Sequence, residues 1–399
     1  VTTTDPQTQA TAVLRVLGDD PADLLARGAS VTVREIAQQP RLWREVAASA
    51  ASRRAATDAF LWPLLQRRDL RIVLAGAGTS GFAGAVLAPA LARSLRRRVD
   101  AVATTDIVSN PREVFAEDVP TLLVSFSRSG GSPESLASTV LAEQCLSSVH
   151  HLVVTCNPDG MLAHDHDGAE RSFVMLMPEA ANDQGFAMTS SFTCMVLATW
   201  LTLSPTPPDS ALVERLVRAG EQALAGRAED TRELASRDYH RVVYLGSGPL
   251  GGLARESALK LLELTAGDLV SYFDSPLGFR HGPKSVLDGR TLALVYLSND
   301  RYTRQYDEDI ALELRRALGP EHVVVVAARA SERLHGDGVW QLEGLDDVED
   351  AALCVPFVLV AQLLALRSSL ALGHTPDNPF PAGEVNRVVQ GVTVHPLGD

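Results

Sequence analysis

The most constraining feature of this chain is a segment that occurs twice. Arg71-Ile-Val-Leu-Ala-Gly76-Ala-Gly78-Thr-Ser-Gly81 returns as Arg241-Val-Val-Tyr-Leu-Gly246-Ser-Gly248-Pro-Leu-Gly251, 170 positions later. In each copy an apolar, β-branched run enters a glycine turn and then a helix-like stretch. That pattern is how a buried parallel strand hands over to its crossover helix. Further apolar runs follow both copies: Val99–Ala103, Thr121–Phe126 and His151–Thr155 after the first, Thr291–Leu297 and Val323–Ala327 after the second. Helix-like segments such as Pro133–Cys145 and Tyr302–Leu318 separate them. Alternation of this kind predicts an α/β fold, two tandem doubly wound parallel sheets with helices on both faces.

The expected boundaries are a helical lead-in over 1–50, a first α/β domain over 51–208, a second over 209–373, and a C-terminal tail over 374–399. Pro21 and Pro40 mark helix starts or breaks in the lead-in. The join carries Pro205, Pro207 and Pro208, which cannot continue a helix.

Composition narrows the function classes. A net charge of −13 argues against nucleic acid as a partner, because phosphate backbones demand basic surface. The four cysteines show no CxxC spacing, which predicts reduced thiols in a cytoplasmic protein rather than disulfides or a zinc site. The N-terminus lacks the basic and apolar regions of a signal peptide. The apolar run Ala351–Leu366 is short for a membrane span and contains Pro356 and Gln362, so it reads as a buried core helix and no membrane partner is expected.

The paired glycine turns alone are weak evidence for a dinucleotide. That role needs an acidic residue on the next strand; Asp106 is available in the first half, with no clear equivalent in the second. Ser125-Phe126-Ser127-Arg128-Ser129-Gly130-Gly131-Ser132-Pro133-Glu134-Ser135 is more specific. Five serines, two glycines and an arginine follow a strand directly, and Pro133 suits a helix's first turn. Hydroxyls and free N–H groups at a helix N-terminus cradle a dianionic phosphate. An ordinary Ser-rich loop with one capping serine is the alternative, and five serines exceed what capping needs. Thr79 and Ser80, at the preceding strand's exit, would face the same crevice.

All but two of the 36 Lys and Arg residues are arginine. The two lysines, Lys260 and Lys284, lie close together in sequence. Glu256, Lys260 and Glu263 are spaced i, i+4, i+7 and share one face of a largely apolar helix. A solvated salt-bridge stripe is the bland reading, worth a few tenths of a kcal/mol. In so arginine-rich a chain, retention of lysine there favours a functional group with a compact, tunable charge. His164-Asp165-His166-Asp167 has metal-capable residue types but reads as a polar loop, and His150 and His151 as structural; no metal and no cofactor are expected.

These segments resemble the sugar isomerase (SIS) domain family, a flavodoxin-like, sugar-phosphate-binding module often duplicated in one chain. Gly78, Thr79, Ser80 and Ser127, Arg128, Ser129, Gly130, Ser132 are similar to its two phosphate-binding loops. Glu256–Glu263 resembles the catalytic helix of glucosamine-6-phosphate synthase, and Arg280-His281-Gly282-Pro283 its downstream His-Gly-Pro turn. Leu277–Ser285 and Gly383–Val392 resemble the galactosamine-6-phosphate deaminase/isomerase group, also known as tagatose-6-phosphate ketose/aldose isomerases.

The resemblance implies a deaminating isomerase acting on an amino-sugar 6-phosphate, with galactosamine 6-phosphate favoured. Glu263 would shuttle the proton, Lys260 and Glu256 would set its orientation and charge, and His281 would assist ring opening. Asn386, Arg387 and Gln390 are expected tail contacts. The synthase carries a glutaminase domain with an N-terminal cysteine; here no cysteine precedes Cys145, so nitrogen is expected to leave rather than arrive. Its tail lysine, which forms an imine, is replaced by Gln390. Two alternatives stand beside this reading: a non-deaminating aldose–ketose isomerase, or a sugar-phosphate-binding regulatory protein. The family's habit of completing sites across subunits implies a homodimer or larger symmetric assembly.

Overall fold

A computed structural model describes residues 17–205, 209–389 and 391–398. The described residues of Leu42–Asp183, Ser190–Ser210 and Gly383–Asp399 form one compact unit, and those of Val1–Arg41, Gln184–Thr189 and Ala211–Ala382 form the other.

The first unit is built on strands β1 (Arg71–Gly76), β2 (Val99–Ala103), β3 (Thr121–Ser127), β4 (Val149–Thr155) and β5 (Ser172–Leu176). They pair in the order β2-β1-β3-β4-β5, every neighbour parallel. The central strands β1 and β3 are buried along their whole length, as expected for a sheet covered on both faces. Val73, Ala75 and Leu123 from these strands pack with Ile107, Phe115 and Leu141 from the helical layer.

The second unit repeats this plan with β6 (Arg241–Leu245), β7 (Val270–Asp274), β8 (Thr291–Tyr296), β9 (Val323–Ala327) and β10 (Val339–Gln341). The order is β7-β6-β8-β9-β10, again parallel throughout. The register of the central pair is the same in both units: Arg71 lies opposite Thr121, and Arg241 opposite Thr291. Both sheets are therefore of the doubly wound α/β type, with the crevice at the carboxyl ends of the strands.

Three strands escape the sequence reading: β5, β7 and β10. Each is an edge strand, at most five residues long and only partly buried. β7 and β10 lack the continuous apolar run that marks the central strands; β5 carries one, Phe173–Leu176, but it is short and ends exposed.

Pro21 opens the helix Pro21–Ala26, and Pro40 is the second residue of the helix Gln39–Ser52. The helix Asp350–Ala371 is long and apolar enough to cross a membrane, yet its apolar stretch is entirely buried. It packs along the helix Pro249–Leu264, as expected of a core helix. The His164–Asp167 stretch, expected as a polar loop, instead begins within the helix Met161–His166.

Candidate active site

The carboxyl end of the first sheet carries the two serine and glycine loops. At the exit of β1, a Cβ on Gly76 would lie 2.5 Å from the backbone of Ser80, so the turn closes only around glycine. Gly78 follows with φ 54°, a conformation that side chains disfavour. Thr79 and Ser80 then open the helix Thr79–Leu95 and are both buried. Thr79 Oγ1 has no hydrogen-bond partner among the described residues, and neither has Ser125 Oγ on β3. Buried hydroxyls are usually paired, so these two keep unused hydrogen-bonding capacity at this end of the sheet.

The loop after β3 is held by its own serines. Gly130 N–H donates to Ser127 Oγ at 2.9 Å, and Gly131 N–H to Ser129 Oγ at 3.3 Å. Each hydroxyl thereby accepts one bond and keeps its own O–H to donate, which suits an anion. Ser132 Oγ lies 2.6 Å from Ser135 Oγ across the first turn of the helix Pro133–Cys145.

The Asn157–Gly160 turn, unremarked in the sequence, closes this loop from below. Asn157 Nδ2 donates to Ser129 O at 2.9 Å, and Leu162 N–H to Gly130 O at 2.8 Å. A Cβ on Gly160 would lie 2.6 Å from Ser129 O, so both glycines are needed for the two loops to meet. Asn157-Pro-Asp-Gly160 is a strong turn signal directly after β4, and it was the available clue.

Arg128 is buried, and its Nη2 donates to the carbonyl of Arg387 at 2.9 Å. Arg387 in turn donates through its guanidinium to Asp183 O. The structure thus joins two residues the sequence assigned separately, one to phosphate and one to the tail. Asn386 is exposed beside them, and Gln390 lies outside the described residues. Asp183 caps the helix Ser190–Leu203 through Ser190 N–H at 3.1 Å and Ser191 N–H at 2.8 Å.

In the second unit the turn after β6 has the same form. Gly248 adopts φ 54°, ψ −125°, close to the φ 54°, ψ −130° of Gly78. The helix Pro249–Leu264 begins there, with Pro249 at its first position. Leu250, Leu253, Leu261 and Leu264 are fully buried, which draws the polar face of the helix into the interior as well.

On that face Lys260 and Glu256 are completely buried. Lys260 Nζ lies 2.5 Å from Glu263 Oε2 and 3.6 Å from Glu256 Oε1. Only the Glu263 side chain reaches solvent, with 25% of its area exposed. The buried ammonium lies between the two carboxylates and pairs directly with Glu263. Glu263 can therefore present an oriented carboxylate outward, while Glu256 backs the lysine from within.

His281 follows the short 3₁₀ turn Gly278–Arg280 and is exposed. It makes no hydrogen bond or ion pair with Glu263 among the described residues. Its loop is anchored by Phe279, which is fully buried in the core of the second sheet. Arg280 pairs with Glu313 at 2.9 Å, and Lys284 pairs with the same carboxylate. These two cations hold the Glu313 carboxyl below its usual range, the Lys284 hydrogen bond contributing most. Lys284 thus fastens its loop to the helix Arg301–Leu318.

The remaining groups are structural in character. His151 is buried against His166, their rings 4.6 Å apart, and burial lowers its pKa to about 3. His166 Nδ1 lies 2.8 Å from Ser172 Oγ, whereas His164 is exposed. Among the described residues no cluster of three or more His, Cys, Asp or Glu side chains is placed to hold a metal. All four cysteines are free thiols, and burial raises the pKa of Cys156 and Cys354.

Residues 64–205 match the SIS domain. The chain is 60% identical over 370 residues to an AgaS protein of Streptomyces coelicolor, covering 92% of this chain and 96% of that relative. It is 44% identical over 373 residues to the D-galactosamine-6-phosphate deaminase AgaS of Shewanella sp. strain ANA-3, covering 93% of each. The crystal structure of tagatose-6-phosphate ketose/aldose isomerase from Escherichia coli superposes with a TM-score of 0.84 at 40% identity, over 92% of this chain and 96% of that one. With its duplicated doubly wound sheets and serine loop, this chain belongs to the SIS-domain family of sugar-phosphate isomerases, in the branch of the AgaS proteins.

Proposed function

We propose that the protein is a deaminating aldose–ketose isomerase that converts an amino-sugar 6-phosphate, with galactosamine 6-phosphate favoured, to the ketose 6-phosphate and ammonia. The observation that carries this reading is the buried Lys260 flanked by two carboxylates, only one of which, Glu263, reaches solvent. The activity named for the 44% identical Shewanella relative supports the choice of reaction.

The chemistry asks for one carboxylate with a fixed orientation. In the open-chain amino aldose, Glu263 takes the proton from C2, the electron pair forms the C1–C2 double bond, and the carbonyl pair moves to O1, which takes a proton from solvent to give the enolamine. The same carboxyl returns a proton to C1, and the nitrogen gives up one N–H proton to solvent, leaving the imine of the ketose. Water adds to C2, the C–N bond breaks, and ammonia leaves with the ketose phosphate. Lys260, 2.5 Å from the Glu263 carboxylate, holds it aimed before the first transfer. His281 would exchange protons with the anomeric hydroxyl and ring oxygen during opening. Ser127, Ser129, Ser132, Thr79, Ser80 and the Gly130 turn would hold the ester phosphate, with Arg128 and the Asn386–Arg387 tail segment beside them. The four free thiols fit a reducing, cytoplasmic setting, and we infer a symmetric homo-oligomer.

The test is to incubate the purified protein with galactosamine 6-phosphate and glucosamine 6-phosphate and to measure ammonia and ketose phosphate. Ammonia in step with ketose is the expected result. Absence of ammonia from both substrates would sink the deaminase reading. A second reading, plain isomerisation without nitrogen release, is favoured by the name of the Escherichia coli structure. Ketose formed only from unaminated aldose phosphates would establish it instead.

A further inference from the structure

Asp307 is a fully buried carboxylate on the helix Arg301–Leu318, and it does not cap that helix. Asp300 already caps it, accepting from Tyr302 N–H at 3.1 Å and Thr303 N–H at 3.0 Å. Asp307 instead reaches the carboxyl end of the second sheet. Its Oδ1 accepts from Ser247 Oγ at 2.6 Å, and its Oδ2 accepts from Ser298 N–H at 2.9 Å. Ser247 lies in the glycine turn between β6 and the helix Pro249–Leu264, and Ser298 lies in the loop just after β8.

The matching register of the two sheets gives this position its meaning. The β6 turn corresponds to the Gly78 turn of the first unit, and the β8 loop to the Ser127–Ser132 loop. Those first-unit loops are the pair assigned above to the ester phosphate. In the second unit Ser127 and Ser129 correspond, 170 positions on, to Leu297 and Asn299, which have no hydroxyl to offer. A carboxylate of the protein itself bridges the two loops there.

Ionising such a group in the interior is costly. Burial pushes the Asp307 pKa up to about 6, opposed by the bonds from Ser247 and Ser298; Asp350 adds to the rise and Arg304 opposes it. A residue kept at that cost, and not needed as a helix cap, requires another reason.

We propose that Asp307 is a positioning residue for the helix carrying Glu256, Lys260 and Glu263, an internal carboxylate that clamps the β6 turn to the β8 loop in the second unit. The proposal rests on the reading of Glu263 as the proton carrier. A helix moves as a rigid rod, so freeing the turn at its first residue shifts its far end, where Glu263 lies. Misplacement by about 1 Å is enough to cost a proton transfer on the order of a hundredfold.

Three variants test this: Asp307→Ala, Asp307→Asn and Ser247→Ala. The asparagine amide can accept from Ser298 N–H and donate to Ser247 Oγ, so it keeps both links without the charge. Steady-state kinetics on galactosamine 6-phosphate should show kcat lowered about tenfold or more in both alanine variants, with KM within about twofold. The asparagine variant should recover most of kcat. Amide hydrogen exchange over residues 247–264 should rise in the alanine variants and stay at the wild-type level in Asp307→Asn.

Unchanged kcat in a folded Asp307→Ala, or an asparagine variant as impaired as alanine, overturns the proposal. If Asp307→Ala fails to fold, Ser247→Ala decides it, since that change removes a single hydroxyl. The exchange measurement needs no substrate. An inactive wild type would therefore refute the functional reading alone, and unchanged exchange in both alanine variants would refute the clamp alone.

Discussion

Lys260 Nζ sits 2.5 Å from Glu263 Oε2, and the lysine is wholly buried while the glutamate is not. An exposed pair at this spacing contributes only a few tenths of a kcal/mol. Here the lysine has no access to solvent, and its ammonium lies 2.5 Å from Glu263 Oε2 and 3.6 Å from Glu256 Oε1. The pair behaves as one unit that aims a carboxylate.

Removing either end of that unit has different consequences. Glu263→Gln keeps shape and a hydrogen-bond acceptor, so the protein should fold normally, while kcat should fall by about 10²–10⁴. Lys260→Ala strands two carboxylates, one fully buried, and should cost about 3–5 kcal/mol of stability. Melting curves and turnover measured together distinguish the two. A Glu263→Gln enzyme with wild-type kcat would remove that residue from the mechanism.

Lys284 should behave otherwise. Its pair with Glu313 is about one-third exposed on both sides, so screening limits its worth to roughly 1 kcal/mol or less. Lys284→Met should leave kcat within about twofold and shift thermal stability slightly. A large loss of kcat would show that the lysine reaches substrate.

Gly130 offers a test of the phosphate loop that touches no functional group. Its φ of 65° and a Cβ contact of 3.1 Å to Gly160 Cα both oppose a side chain. Gly130→Ala should distort the loop and raise KM for the sugar phosphate about tenfold or more. Gly131, whose added Cβ would meet nothing within 4 Å, is the control, and Gly131→Ala should keep KM near wild type. Equal KM values in the two variants would argue against the loop holding phosphate.

Acid sensitivity should trace in part to His151. Burial first, then His166 and His150, lowers its pKa from 6.5 to about 3. The folded state therefore binds fewer protons than the unfolded chain between these values. Stability from this group is present above pH 6.5 and is lost as pH falls, by about 1.4 kcal/mol per pH unit at most. Urea midpoints of the transition containing this unit, taken at pH 7 and pH 5, should differ less in His151→Leu than in wild type. Identical pH dependence in the two proteins would exclude the histidine.

Much of this architecture was legible in the chain. The repeated strand and glycine turn, 170 positions apart, foretold two parallel sheets, because a strand buried on both faces must be apolar at every position. Glycine at 76, 78, 246 and 248 followed from the same turn, since a Cβ at 76 or 246 would collide with backbone. The spacing of Glu256, Lys260 and Glu263 required one helical face, because helical periodicity is local. Edge strands β5, β7 and β10 stayed hidden, being short and half exposed.

What local periodicity cannot carry is depth and long-range partnership. Nothing in the order of residues says that Lys260 is wholly buried while Lys284 reaches solvent, and the packing of Asp350–Ala371 along its helix contributes to that burial. The bond from Arg128 to the Arg387 carbonyl spans 259 positions, and the clamp of Asp307 on Ser247 spans 60. Such contacts depend on which loops the sheets bring to one edge, and that is decided only when the strands have paired.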